Sequence, residues 1–210
     1  MTRTNNDLSE PSLACFRVGA FADTHLSPRS KEFEPLLECI RGLNSQLLDF
    51  VVQLGGLFGC DNGSLHQPLK TVGLIERPLY NVLANRDFGV LYAEQNSAVE
   101  RLTPQGGYNS LSPVPSWSCL VLDGAEISLF RYPVDTVSHR EAEVRLARLK
   151  SENAASAQPC NGANAPRQLG SFRDHLQAAD RIPQKLIMFA ISPASRLAGR
   201  ALFGILLLLE

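Results

Sequence analysis

Three apolar runs, residues 16–22, 50–54 and 79–83, each break off into a short polar tip, and the tips recur at intervals of roughly thirty residues. The tips read Asp23-Thr24-His25, Gly55-Gly56 and Ala84-Asn85-Arg86-Asp87. Runs of four to eight residues bounded by such signals are strands, and the segments between them have a different period. Phe33, Leu36, Leu37, Ile40 and Leu43 fall on one helical face within residues 30–48, with Ser30 placed as an N-cap, and residues 64–76 read as a second helix. The order β-α-β-α-β implies a parallel sheet with right-handed crossovers. Such a sheet brings the residues after each strand together at its carboxyl edge, where α/β folds build their sites.

The pattern changes after residue 107. Residues 108–111 and 117–122 read as short strands separated by Ser112-Pro113-Val114-Pro115-Ser116, a turn-forming spacer that predicts an antiparallel pair. Residues 139–150 alternate Arg and Glu around Val144, Leu146 and Leu149, as an amphipathic helix does. Residues 151–167, rich in Ala, Asn, Ser, Gly and Pro, read as an internal loop, 168–179 as a helix and 185–189 as a strand. Residues 201–209 are uniformly apolar and read as a core element that packs across a sheet or into a second chain. The expected organisation is a disordered leader, residues 1–13, and one domain, residues 14–210.

Composition narrows the function classes. With 44% hydrophobic residues the chain can bury a real core, and a formal net charge of −1 gives no electrostatic case for nucleic acid or for an anionic membrane surface. The apolar run 201–209 is far shorter than the ~20 residues of a spanning helix, so no membrane role is expected. The five cysteines are widely spaced with no C-x-x-C pair, and residues 1–12 lack the basic-then-apolar order of a signal peptide. Reduced thiols and a cytoplasmic location are the resulting expectations.

The tips carry a recognisable chemistry. Phosphoester and pyrophosphate hydrolysis at neutral pH is served by two divalent ions about 3.5–4 Å apart, which generate hydroxide and clamp the oxygens of an in-line displacement. A bridging aspartate is then the central ligand, imidazole and amide oxygens complete the set, and a histidine protonates the leaving oxygen. Asp23 and His25 offer a carboxylate and an imidazole at one tip, and Asn85 offers an amide oxygen at another. Gly56 has no donor atom at the second tip. Arg86 carries a permanent cation and cannot act as a general acid at neutral pH. Asp61 lies nearby and reads as a turn residue. His66, His139 and His175 fall in expected helices, where surface or helix-end roles are the ordinary ones.

Taken together, D-x-H, then G-G in place of G-D, then A-N-R-D in place of G-N-H-D/E, resemble the calcineurin-like metallophosphoesterases. The stretch from Gly107 through Tyr108, Trp117, Leu122 and Asp123 to Gly124 is similar to the branch of manganese-dependent ADP-ribose/CDP-alcohol diphosphatases. So are Asn161-Gly162-Ala163, Gln168-Leu169 and Lys185-Leu186-Ile187-Met188-Phe189. The resemblance implies an α/β metallophosphoesterase-type β-sandwich flanked by helices, incomplete at the C-terminus. Carried over, it makes Asp23, His25 and Asn85 metal ligands, sets Gly56 on the bridging aspartate, Arg86 on the catalytic histidine and Ile191 on a further ligand histidine. It thereby implies at most one weakly held divalent ion, Mn in the family, and phosphoanhydride hydrolysis that is weak or absent. A nucleotide-diphosphate ligand, or alternatively a non-catalytic scaffold role on the same fold, is the expected function. Self-association through an exposed sheet edge is the expected liability.

Overall fold

The computed structural model describes residues 16–26, 33–58, 66–88, 102–103, 109–114, 117–154, 157–159, 163–179, 181, 185–190 and 204–208. Strands β1 (Val18–Phe21), β2 (Phe50–Leu54) and β3 (Leu79–Val82) form a parallel sheet in the order β1-β2-β3. Helix α1 (Phe33–Asn44) and helix α2 (His66–Val72) make the two crossovers. The β-α-β-α-β reading of the sequence is therefore the observed topology.

All five residues of β2 are buried, because it is the central strand and both its faces are covered. Val51 packs with Leu36 and Ile40 of α1 and Val72 of α2, while Phe50, Val52 and Leu54 face the other way. Their partners there are Cys119, Val121, Ile187 and Phe189 of a second sheet. That sheet contains β4 (Asn109–Val114), β5 (Trp117–Leu122), β6 (Lys185–Ala190) and β7 (Gly204–Leu208), in that order. β4 and β5 pair antiparallel, as the Pro-containing turn predicts, β5 and β6 parallel, and β6 and β7 antiparallel. Two sheets share one aromatic-rich interior in which Phe50 lies edge-on to Phe189, ring centroids 6.3 Å apart.

Helix α3 (Val137–Ser151) starts at Thr136, whose hydroxyl accepts the His139 N–H at 3.2 Å. Helix α4 (Pro166–Ala179) starts on a proline, the residue best suited to a first helical position. It packs on β5 and β6 on the side away from the first sheet. The expected loop 151–167 is shorter at both ends, since Ser151 closes α3 and Pro166 opens α4, and between them Ala163 exchanges both backbone hydrogen bonds with Ile127 at 2.9 Å. The apolar C-terminal run differs from expectation in its mode of packing. Its residues 204–208 join the sheet in plane, as the strand beside β6. A uniformly apolar pentapeptide of this length satisfies its backbone most readily by completing a ladder.

Candidate metal centre

The tips of β1, β2 and β3 lie together at the carboxyl edge of the first sheet, and the pairing of β1 with β2 continues past the strand ends. The Asp23 N–H donates to the Gly55 carbonyl at 3.0 Å, the His25 N–H to Gly56 at 2.8 Å, and the Leu26 N–H to Leu57 at 2.8 Å. This ladder is made in an unusual backbone conformation. Asp23 has φ 53° and His25 φ 45°, both left-handed, opposite Gly55 at φ 70° and Gly56 at φ 65°. Asp and His tolerate that region better than most side chains, at a cost of about 1–2 kcal/mol each. Strain of this kind concentrates where a site dictates the backbone.

The conformation turns the Asp23 and His25 side chains toward each other, and His25 Nε2 lies 3.2 Å from Asp23 Oδ1. Their side chains are 44% and 33% exposed, so water screens the pair and its stabilisation is at the low end for ion pairs. Gly56 lies directly beneath. A Cβ placed on Gly56 would stand 2.5 Å from Asp23 Oδ1, 3.1 Å from His25 Nε2 and 3.2 Å from the Asp23 Cα. The room that a bridging carboxylate needs is thus filled by the side chains that would be its co-ligands.

Asp87, in the short 3₁₀ helix Asn85–Phe88 after β3, holds the β2 tip against the β3 tip. It is 3% exposed. Its Oδ1 accepts the N–H groups of Leu57 at 2.8 Å and Phe58 at 3.2 Å, and its Oδ2 those of Gly56 at 3.1 Å and Ala84 at 2.9 Å. Burial pushes its pKa up to about 6, against the pull of the four backbone donors. With both oxygens engaged by N–H groups, Asp87 is not a metal ligand. Its structural role was not evident in the sequence, where it stood only as the acidic fourth residue of A-N-R-D.

The donor set decides what the centre can hold. Asp23 and His25 converge, and Asn85, half-buried, is carried on the segment that Asp87 ties to Gly56–Phe58. Among the described residues no three His, Cys, Asp or Glu side chains form a group that could hold an ion. A two-ion centre does not fit these residues, because the bridging position has no donor, and a side chain there would first have to move the Asp23 carboxylate aside. Two converging atoms, Asp23 Oδ1 and His25 Nε2, fit a single ion only as a fragment of a coordination sphere. The Arg86 side chain, Asp61 and Ile191 lie outside the described residues.

Of the other histidines, His139 is buried on α3 with its Nδ1 3.7 Å from Glu143 Oε1, and His175 on α4 lies 2.8 Å from the Ser110 hydroxyl, so both sit in helices as expected. His66 opens α2. None of them joins Asp23 and His25 in a metal-holding group.

No family model matches the chain, and no curated protein matches it. Among solved structures it is similar to a dimetal phosphatase from Danio rerio, with a TM-score of 0.70 at 15% sequence identity, covering 83% of this chain and 69% of that one. The fold is the metallophosphoesterase type, an α/β sandwich of two sheets with flanking helices.

Proposed function

We propose that this chain is a metallophosphoesterase-fold protein with an impaired phosphoanhydride hydrolase centre. It resembles the manganese-dependent ADP-ribose/CDP-alcohol diphosphatases, and its ligand class is a nucleotide diphosphate. The centre holds at most one divalent ion, weakly, through Asp23, His25 and Asn85. A single ion there would supply Lewis-acid polarisation of one phosphate oxygen, without the second ion that completes an in-line clamp. The observation that carries this reading is the one at Gly56: the bridging carboxylate is missing and Asp23 Oδ1 occupies its room. The likeness to a dimetal phosphatase supports the choice of reaction class.

The test is metal content and turnover on the same purified protein. After equilibration with Mn²⁺ and removal of the free ion, elemental analysis should find at most one Mn per chain, and ADP-ribose hydrolysis should stay at or just above background. Two tightly held ions per chain with Mn-dependent turnover would overturn it.

A second reading, a non-catalytic scaffold on the same fold, is favoured by the Asp87 clamp. The four backbone donors around Asp87 are satisfied inside the protein, so the strand tips are held without an ion. On either reading the protein works in the cytoplasm, where thiols such as the free Cys39 and Cys119 stay reduced. No described helix is long and apolar enough to cross a membrane.

A further inference from the structure

We propose that the strand tips have been rebuilt around Gly56 into a metal-independent clasp, so that glycine at 56 is now a structural requirement and not only the loss of a ligand. The clasp rests on the proposed loss of two-ion chemistry and takes that reading further. Three observations meet at this residue. Its φ of 65° belongs to the left-handed region that favours glycine. Its Cβ position is taken, at 2.5 Å, by Asp23 Oδ1, and flanked at 3.1 Å by His25 Nε2. Its own two backbone groups are both used, the carbonyl accepting the His25 N–H at 2.8 Å and the N–H donating to Asp87 Oδ2 at 3.1 Å.

Gly56 is therefore the point at which the β1 tip and the β3 tip are fastened to the β2 tip. In a two-ion centre that fastening comes from ligands on several strands meeting at a shared metal. Here the Asp23–His25 pair closes on itself over Gly56, and the buried carboxylate of Asp87 grips three successive amides from Gly56 to Phe58. A consequence runs against simple reversion. Aspartate introduced at 56 restores the chemical element of a bridging ligand, but it must displace Asp23, one of the two ligands it would need.

A double-mutant cycle on the full chain tests this. Gly56→Ala is made in the wild-type background and in Asp23→Gly, which removes the obstructing carboxylate. Melting temperatures of all four proteins are then read in EDTA and in excess Mn²⁺. Gly56→Ala should lower the wild-type melting temperature by on the order of 5 °C, and by clearly less in Asp23→Gly, because part of the cost is the collision. An equal drop in both backgrounds would mean that only backbone strain at 56 matters, and would overturn the proposal. The wild type should stay folded in EDTA, with excess Mn²⁺ adding only the small rise that one weakly held ion gives; a wild type that needs Mn²⁺ to fold would overturn it as well.

Gly56→Asp supplies the second arm. It should melt below the wild type and show no Mn²⁺-dependent rise larger than the wild type's. A Gly56→Asp protein as stable as the wild type, or stabilised by Mn²⁺ more than the wild type is, refutes the clasp. Two tightly held ions with Mn-dependent ADP-ribose turnover by the wild type would instead refute the reading of function, so the two failures are distinguishable.

Discussion

Gln168 and Asp123 hold each other by the backbone of one and both ends of the side chain of the other. Gln168 Oε1 accepts the Asp123 N–H at 2.8 Å, and its Nε2 donates to the Asp123 carbonyl at 3.1 Å and to Glu126 Oε2 at 2.7 Å. Gln168 is fully buried, so every one of these bonds replaces water that cannot reach it. The arrangement pins the first turn of α4 to the end of β5. Replacing Gln168 with Leu keeps the bulk and removes the acceptor from the Asp123 N–H. The carbonyl of Asp123 still accepts from Asn164 Nδ2 at 3.1 Å, so one orphaned donor dominates the loss. The expected destabilisation is about 1–3 kcal/mol, read as a lower urea midpoint at unchanged slope.

The side chain of the same Asp123 sets a pH dependence. It is 1% exposed and pairs with Arg131, whose guanidinium also lies 4.8 Å from the centre of the Phe88 ring, next to Asp87. Burial raises its pKa above the ordinary 3.8, and the Arg131 charge pulls it back only in part. Between 3.8 and the raised value the folded chain binds more protons than the unfolded one. Stability from this group therefore falls as pH rises through that window and is highest below it. Arg131→Met removes the opposing cation, so the window should extend to higher pH and the fall steepen. Near neutral pH the uncompensated carboxylate should cost about 3–5 kcal/mol. Melting curves of wild type and variant between pH 4 and 8 check both signs. A variant whose loss is the same at every pH would show that packing of the Arg131 stem, not its charge, is what matters.

Asp87→Ala should be the most damaging single change at the strand tips. Four backbone N–H groups lose their acceptor at once, at about 1–3 kcal/mol each when left unsatisfied. Removing the buried charge, whose pKa burial holds up at about 6 even with those four donors in place, returns only part of that loss. The balance is a net loss of several kcal/mol. Hydrogen exchange localises it: the amides of Gly56, Leu57 and Phe58 should exchange quickly in the variant while those of β5 stay protected. Unchanged protection at all three would show that the tips do not depend on Asp87.

Much of this was legible in the sequence, for a physical reason. β2 is buried on both faces, so its apolar run is unbroken, and the repeated strand-and-tip pattern can only be a parallel sheet. The separate motifs that carry the family resemblance also touch one another in the fold. Trp117 sits in register with Lys185, whose ammonium lies 5.3 Å from the indole, and Asp123 meets Gln168. Each motif is therefore one side of a contact whose other side is distant in the chain. Less legible was anything set by backbone angle. Nothing in Gly55-Gly56 distinguishes a lost ligand from a left-handed turn packed under Asp23, and Asp87 reads as an acidic residue at a tip whether it faces water, an ion or four amides. The pairing of residues 204–208 with β6 was equally hidden, since a uniformly apolar run has no periodicity to assign it to a face.

That C-terminal run supports a final prediction. β7 completes the ladder of β6, whose Leu186, Ile187 and Phe189 are buried in the core. Deleting residues 201–210 would turn β6 from an inner strand into an edge and leave its outward N–H and carbonyl groups unpaired. An exposed, flat, apolar edge is a template for pairing with another chain, so the truncated protein should melt at lower temperature and associate or precipitate as its concentration rises. Melting temperature and light scattering across a concentration series separate the two effects. If the truncated chain stays as stable, soluble and monomeric as the parent, β7 contributes nothing to the sandwich, and β6 must be protected by another part of the chain.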